Sequence, residues 1–263
     1  MNTFLNDDFL LDTQTARTLY HTYAAKMPIA DYHCHIDPRD IWEDRRFENI
    51  TQLWLGGDHY KWRLMRSNGV EEKYITGDAS DYEKFEKFAQ TLPRAIGNPM
   101  YHWCHLELKN YFGYTGVLSG ETAREVWELC NDKLQNDPAM SARGLILGSN
   151  VAMVGTTDDP CSDLMYHEKL AGEERFPVQV CPSFRPDPAV NLHKSGFAAY
   201  LKQLEQVTGR TISTVEDVRA ALSDRIAFFD AHGCRSADHG LDYVMCREVS
   251  DQAAPAAMNK ARS

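Results

Sequence analysis

Residues 31–35 read DYHCH and place two histidines two positions apart at the end of an apolar run. Alternate side chains of a strand point to the same side, so we expect Asp31, His33 and His35 to share one face, with Cys34 packing on the other. Two neutral imidazoles on one face can bind a divalent metal ion if a third ligand comes from elsewhere. Alternatively, the two histidines only form hydrogen bonds with neighbours, because His-x-His spacing is common.

Residues 56–66, GGDHYKWRLMR, contain a second candidate site around His59 and Tyr60. The same segment carries three cations, Lys61, Arg63 and Arg66. Either His59 or Tyr60 could transfer a proton, although a phenol acts as a base only where positive charge or a metal ion lowers its pKa. The alternative is an exposed amphipathic helix that buries Trp62 and Met65. The spacing by itself favours this alternative.

A third candidate is Arg185 in the sequence CPSFRPDP, residues 181–188. The flanking prolines, Pro186 and Pro188, restrict the turn and would hold the guanidinium at the end of a strand. A guanidinium held in this way can bind a carboxylate through two parallel hydrogen bonds. In the alternative, Arg185 pairs with Asp187 and simply closes the turn. Weaker candidates are the segments TTDDP at 156–160 and SADHG at 236–240, which could supply carboxylates or an imidazole.

Short apolar runs that alternate with amphipathic stretches would position these residues. The predicted strands are Ile29–Ile36, a segment near Trp103–Leu108, Val151–Thr156, Val178–Phe184 and a weaker one around Cys234–Asp238. The predicted helices are Glu121–Leu134, Ser162–Leu170, Gly196–Val207 and one that opens with a capping box at Ser213–Glu216 and runs through Ala231 to Gly233. This alternation indicates βα units around a parallel sheet. Polar residues follow each strand, including His105 and Glu107 after the second, which favours a (β/α)8 barrel with its site at the carboxyl ends of the strands.

Composition and charge limit the classes of partner. The 263 residues are 43% hydrophobic and 25% charged, and 28 basic residues against 38 acidic ones give a net charge of −10. An acidic protein is repelled by nucleic acids and by anionic membranes, so we expect neither as a partner. Seven cysteines without a CxxC pair indicate reduced thiols in the cytoplasm. The sequence contains no GxGxxG, Walker or GxSxG motif, so nucleotide binding and serine hydrolysis have no support.

Six segments occur in an order and context that resemble one known family. They are DYHCHIDP, GGDHYKWRLMR, NPMYHWCHLELKNYFG, VGTTDDP, CPSFRPDP and CRSADHGLD. Together they resemble uronate isomerase (glucuronate isomerase), a divergent branch of the amidohydrolase superfamily, from near residue 5 to about residue 250. The segments DHYKWRLMR and PSFRPD are specific to this family, whereas His-x-His is shared across the superfamily.

The resemblance implies an α/β fold, a (β/α)8 TIM barrel of the metal-dependent hydrolase type with a helical insertion after strand 1 at about residues 38–100. It implies an aldose–ketose isomerase that converts D-glucuronate to D-fructuronate and D-galacturonate to D-tagaturonate. His33 and His35 would bind a divalent metal ion, with zinc expected. His59 and Tyr60 would contact the substrate near C1 and C2 as catalytic residues, and Arg185 would bind it. The resemblance also implies a catalytic aspartate after the eighth strand, which these residues do not include.

The length suggests that the barrel is incomplete. Eight βα units take roughly 250 residues, and the insertion consumes part of this chain, so we expect one partial barrel domain over 1–263 with about five units. We therefore expect part of a longer enzyme, inactive or insoluble alone, and leave its homo-oligomerisation open. A metal-dependent hydrolase is the enzymatic alternative, but Arg185 ends the fourth strand and a protonated guanidinium cannot be a ligand. A non-catalytic fragment is the other alternative.

Overall fold

The computed structural model describes residues 4–241, 243, 248, 250 and 252–262, which include neither Cys246 nor the other residues between these ranges. Contacts divide the chain into two compact units. We call Met1–Met27 with Asp44–Gly148 the helical unit, and Pro28–Glu43 with Ser149–Ser263 the sheet unit. The composition of the sequence marks no boundary between them, since no linker separates the segments.

The helices of the helical unit are α1 (Gln14–Leu19), α3 (Ile50–Leu55), α4 (His59–Ser67), α5 (Asp81–Thr91), α6 (Pro99–Glu107), α7 (Ala123–Asn136) and α8 (Ala142–Gly148). Those of the sheet unit are α2 (Pro38–Trp42), α9 (Met165–Ala171), α10 (Asp187–Val190), α11 (Phe197–Thr208), α12 (Val215–Ala231) and α13 (Ala253–Arg262). Its strands are β1 (Ile29–Asp31), β2 (Val151–Gly155), β3 (Gln179–Cys181), β4 (Ser183–Phe184) and β5 (Ser236–Ala237).

The core of the helical unit is built from apolar residues that recur every three or four positions. Helix α5 begins with a capping box between Ser80 and Glu83 and buries Phe85 and Phe88 completely. Helix α7 confirms the prediction for Glu121–Leu134, with its bounds displaced by two residues. It buries Ala123, Val126, Cys130 and Leu134 in the same core. Removing these faces from water is the main source of stability for such short helices.

The strand predicted near Trp103–Leu108 is wrong, because this segment lies in α6. Asn98 caps that helix by accepting a hydrogen bond from the Met100 N–H, and proline occupies its first turn. A π-helical turn, Leu108–Phe112, follows and ends at Gly113 with a φ of 75°. His105 and Glu107 therefore lie on a helix and do not follow a strand. The helices of the helical unit continue to Gly148, whereas the helical insertion is expected at about residues 38–100.

The sheet unit has parallel strands, as predicted. One sheet has the order β1-β2-β3 and the other pairs β4 with β5, and every one of these pairs is parallel. The predicted strand Val178–Phe184 is interrupted at Pro182, which lacks the N–H that a ladder requires. The predicted strand Ile29–Ile36 is shorter than expected and ends at Asp31. The weaker strand predicted around Cys234–Asp238 is confirmed as β5.

The helices predicted for the sheet unit are present with small corrections. Helices α9 and α11 correspond to the predictions for Ser162–Leu170 and Gly196–Val207. Helix α12 ends at Ala231 and Gly233 follows it, but Thr214 and Asp217 form its capping box in place of Ser213 and Glu216. This register places Val218, Ala221 and Phe229 in the core. Among the described helices, none has the length and apolar content needed to cross a membrane.

Candidate active site

The two histidines of DYHCH lie next to each other in the sheet unit, just beyond the end of β1. The ring centroids of His33 and His35 are 5.0 Å apart and the rings are nearly perpendicular, at 84°. The intervening Cys34 anchors the segment, because its N–H donates to the Gly155 carbonyl at 2.8 Å and its carbonyl accepts from Thr157 Oγ1 at 2.9 Å. The histidines lie side by side although the strand ends at Asp31. Hydrogen bonds to the neighbouring segment, in place of a continued ladder, position them.

The close approach of β2 depends on Gly155. A Cβ at this position would lie 2.5 Å from the Tyr32 carbonyl oxygen, so that a larger residue would push the DYHCH segment away. Burial raises the pKa of the Cys34 thiol to about 11, which keeps it protonated and agrees with its predicted role in packing.

Arg185 follows β4 and contacts two carboxylates. Its Nε donates to Asp187 Oδ2 at 2.9 Å, and its Nη1 is 3.1 Å from Asp238 Oδ2, beyond the end of β5. The turn-closing pair with Asp187 is therefore present, and the guanidinium also bridges two strand ends. Arg185 and Lys194 line a cavity of about 460 Å³. This volume is sufficient for a small organic anion beside the guanidinium.

Asp187 is held by several donors at once. Its Oδ2 accepts from the Gly240 N–H at 2.7 Å, and His239 Nδ1 lies 3.3 Å from Oδ1. Burial would raise the pKa of Asp187, but the hydrogen bonds from Arg185, Gly240 and His239 outweigh burial and lower it below the ordinary value. Glycine at position 240 leaves room for the guanidinium in this orientation, because a Cβ would collide with Nη2 of Arg185. The sequence analysis missed Gly240, although glycine directly after DH was a signal for such an approach.

Asp238 connects Arg185 with the histidine pair. Its Oδ2 is buried, makes no hydrogen bond within the described residues, and lies 3.7 Å from His33 Nδ1. A buried carboxylate oxygen without a hydrogen-bond donor is costly unless a cation compensates it. The ion pair with Arg185 supplies part of this compensation.

The residues around His33 fit a divalent metal ion in their chemistry but supply two clear ligand positions only. Two imidazoles next to an incompletely satisfied carboxylate form a nitrogen and oxygen donor set of the kind that zinc accepts. In the part of the chain that the structure describes, no group of three or more His, Cys, Asp or Glu side chains is arranged to hold a metal. His33 and His35 are the two imidazoles that lie side by side there.

His59 and Tyr60 lie in the helical unit, in the first turn of α4. Their ring centroids are 4.3 Å apart, and Tyr60 is 58% exposed. Asp58 positions both by capping the helix, since Oδ1 accepts from the N–H groups of Tyr60 and Lys61 at 2.9 and 3.1 Å. The sequence analysis missed this aspartate, although an aspartate before an amphipathic stretch is a known start signal.

The rest of α4 matches the amphipathic helix that the spacing favoured. Met65 is completely buried, and the indole N–H of Trp62 donates to the Leu55 carbonyl at 2.8 Å. The cations of this segment differ in their contacts. Lys61 is buried and pairs with Asp58 at 2.7 Å, while Arg66 donates two hydrogen bonds to Glu72. Arg63 lies 5.6 Å from the centre of the Tyr60 ring.

Comparison with known proteins identifies the family. A family model described as glucuronate isomerase matches residues 1–263. The chain belongs to the glucuronate isomerase family. The uronate isomerase of Lachnospira eligens is 57% identical over 252 residues, which make up 96% of this chain and 54% of the relative. That of Caldanaerobacter subterraneus subsp. tengcongensis is 52% identical over 260 residues, 99% of this chain and 56% of the relative.

Solved structures of glucuronate isomerase family members have the same fold over the matched region. A uronate isomerase from Thermotoga maritima gives a TM-score of 0.89 at 38% identity. The match covers 100% of this chain and 57% of the Thermotoga chain. A glucuronate isomerase from Caulobacter crescentus is 24% identical, so it shows the fold alone. Its TM-score is 0.86, and the match covers 98% of this chain and 56% of the Caulobacter chain. The chain spans about half the length of the curated relatives it matches.

Proposed function

We propose that this chain carries the first active-site segments of an aldose–ketose isomerase in uronate catabolism. The enzyme would interconvert D-glucuronate and D-fructuronate, and D-galacturonate and D-tagaturonate. Membership of the glucuronate isomerase family over residues 1–263 supports this function. The observation that carries it is the guanidinium of Arg185 at the end of a parallel strand, beside a cavity of about 460 Å³. An acidic protein with an anionic substrate needs such a local positive charge.

The reaction moves one proton between neighbouring carbons. The C2–H bond breaks and a C1–H bond forms, while the hydroxyl proton at C2 passes to the carbonyl oxygen at C1 through a cis-enediol. No oxidant or reductant is consumed. The chain must therefore bind the carboxylate, orient C1 and C2, and move protons at two atoms.

Each candidate residue has one part in this mechanism. Arg185 binds the carboxylate of the substrate, and the pairs with Asp187 and Asp238 hold the guanidinium in place. Tyr60 transfers a proton, and His59, stacked against it, contacts the substrate near C1 and C2. His33 and His35 would hold a divalent metal ion, with zinc expected. When bound, that ion supplies electrostatic stabilisation of the negative charge that develops on substrate oxygens.

The proposal includes the fold and surroundings of the whole enzyme. The parallel strands with polar residues after their carboxyl ends support a (β/α)8 barrel, of which this chain would form about five units. The net charge of −10 supports a small-molecule partner over nucleic acids or membranes. A cytoplasmic location and a homo-oligomer of the longer enzyme remain predictions.

The test joins the 263 residues to the part of the Lachnospira eligens uronate isomerase that they do not match. We expect this chimera to convert D-glucuronate to D-fructuronate, followed by NMR, and Arg185→Lys to raise KM by about tenfold or more, because hydrogen bonds to charged groups contribute about 1.5–3 kcal/mol. Arg210→Lys is the matched control, since Arg210 forms an exposed ion pair with Asp224. A folded chimera without turnover contradicts the function, and equal effects of the two substitutions contradict the role of Arg185.

A further inference from the structure

The sheet unit contains a buried polar cluster that the mechanism does not use. Thr156, Asp158 and His167 are 1%, 8% and 3% exposed. Thr156 Oγ1 lies 2.6 Å from Asp158 Oδ2 and 2.7 Å from His167 Nε2. We call these three residues the β2-end cluster, because Thr156 and Asp158 lie in the segment that follows β2.

The β2-end cluster has no access to a substrate. A hydroxyl, an imidazole and a carboxylate in contact are the components of nucleophilic catalysis, but Thr156 is buried and also lies 3.2 Å from the Cys181 carbonyl. Burial lowers the pKa of His167, the carboxylate of Asp158 opposing this effect, so the imidazole stays neutral. A structural or positioning role remains.

The distances determine the direction of the hydrogen bonds. Thr156 has one hydroxyl proton, and it donates this proton to the carboxylate oxygen Oδ2 of Asp158 at 2.6 Å. The hydroxyl oxygen then accepts from His167, which must carry its proton on Nε2. A chain of donation therefore runs from His167 through Thr156 to Asp158.

Asp158 connects this chain to the strand that carries Arg185. Its N–H donates to the Ser183 carbonyl at 3.0 Å, and its Oδ2 accepts from the Ser183 N–H at 3.2 Å. Its own carbonyl accepts from the Arg185 N–H at 2.9 Å. Asp158 thus holds β4 from both its backbone and its side chain.

Strand β4 also positions Asp238, the acidic partner of Arg185 in the ion pair. Phe184, between the two residues that Asp158 holds, forms an isolated bridge with Asp158 and accepts a hydrogen bond from the Asp238 N–H at 3.1 Å. The backbone of Arg185 and that of Asp238 are therefore tied to one strand position, which Asp158 sets.

We propose that Asp158 is a positioning residue for Arg185 and Asp238, and that His167 maintains it through Thr156. The part that concerns substrate rests on the proposed function. The positioning itself does not, because it is a relation between residues of the sheet unit.

The experiment compares Thr156→Val, which removes the hydroxyl at similar volume, with Thr156→Ser, which retains it, in the chimera described above. Thr91→Val is the matched control, because Thr91 is 1% exposed and its hydroxyl donates to the Lys87 carbonyl in the helical unit. The first readout is hydrogen exchange at the Arg185 Nε–H and the Asp238 N–H, measured by NMR. The second is D-glucuronate binding by calorimetry.

We expect Thr156→Val to accelerate both exchange rates by about tenfold, because opening then requires less free energy, while Thr156→Ser and Thr91→Val change them less than about threefold. Binding of D-glucuronate should weaken by about tenfold or more in Thr156→Val only, as misplacement of a binding group predicts. Asp158→Asn should reproduce the faster exchange.

Two outcomes separate the positioning role from the proposed function. If exchange at Arg185 and Asp238 is unchanged in Thr156→Val while its melting temperature falls as in Thr91→Val, the cluster is only structural and the inference is overturned. If exchange accelerates as expected but the chimera without these substitutions fails to bind D-glucuronate, the positioning role stands and the proposed function fails.

Discussion

Arg185 and Asp238 follow two neighbouring parallel strands and meet beyond their ends, with Nη1 of the guanidinium 3.1 Å from Oδ2 of the carboxylate. Asp187 holds the guanidinium from its other edge. Under the proposed function, a substrate carboxylate would approach a guanidinium whose direction is already set, which would lower the entropy cost of binding. The two carboxylates also reduce the net attraction of Arg185 for anions, so we expect selectivity to depend on geometry more than on charge.

Gly240→Ala should weaken substrate binding with little loss of stability. The added methyl collides with the end of the flexible Arg185 side chain, which can move aside, so we expect the free energy of unfolding to fall by less than about 1 kcal/mol. Displacing the guanidinium should weaken D-glucuronate binding about tenfold, as measured by calorimetry. Gly172→Ala, where a methyl finds only ordinary contacts, is the control. Equal binding by the two variants would contradict a role for the orientation of Arg185.

Acidification below about pH 6.5 should destabilise the protein through its buried histidines. Burial lowers the pKa of His105 and of His167 below 6.5, so the unfolded chain binds more protons than the folded one in this range. This contribution to stability is present above pH 6.5 and is lost as the pH falls towards the folded values. Each group adds a slope of at most about 1.4 kcal/mol per pH unit.

Substitution of His105 tests this pH dependence, because its contacts depend on a neutral imidazole. Its Nε2 accepts from the Leu118 N–H at 2.9 Å, and its Nδ1 lies 2.6 Å from the Tyr101 carbonyl, so protonation would remove the acceptor. In urea unfolding between pH 8 and pH 5, His105→Gln should flatten the decline. His193→Gln alters an exposed histidine and should keep the original slope. A flat profile in the unmodified protein would refute the prediction.

Asp58→Ala should destabilise the helical unit by about 2–4 kcal/mol, since breaking a buried ion pair by removing one partner costs about 3–5 kcal/mol and Asp58 retains some exposure. Lys61 would be left charged and buried, and α4 would lose its cap. Asn98→Ala removes a cap without an ion pair and should cost only about 1 kcal/mol. Chemical denaturation measures both. If adding Lys61→Met to Asp58→Ala restores no stability, the ion pair is not the cause.

Replacing His33 and His35 together by Ala should abolish stoichiometric zinc binding by the chimera described above. The proposed ligands are the two adjacent imidazoles, and their loss leaves the Asp238 carboxylate alone. Elemental analysis after dialysis gives the metal content per chain. His193→Ala, which removes an exposed histidine, should retain the metal. Unchanged zinc in the double variant would exclude His33 and His35 as ligands.

The sequence predicts the parallel strands well because their apolar runs are short and bounded by polar residues. It fails at Trp103–Leu108, where the mixture of aromatic and apolar residues is compatible with either state. The Asn98-Pro99 start and the Gly113 stop would have identified a helix. At α12 the sequence is compatible with two overlapping capping boxes, and in the folded chain Thr214 and Asp217 form the one that is present.

The candidate site is predictable in its residue types but not in its pairings. His33, Arg185 and Asp238 each occupy a recognisable position after a strand. Their contacts depend on the register between β4 and β5, which lie about 50 residues apart in the chain. Nothing local in the sequence reports that register. His167 is harder still, because it lies within a helix, and only the folded chain brings it to Thr156.

Lys61 gives the helical unit an internal chemical reporter. The residue is 6% exposed, and its amine is held by Asp58 at the start of the helix that carries His59 and Tyr60. An acylating reagent can modify this lysine only when the first turn of α4 opens, whereas Lys26 and Lys73 react on the surface of the folded chain. The ratio of their labelling, read by mass spectrometry, therefore measures how often the His59–Tyr60 turn opens under native conditions.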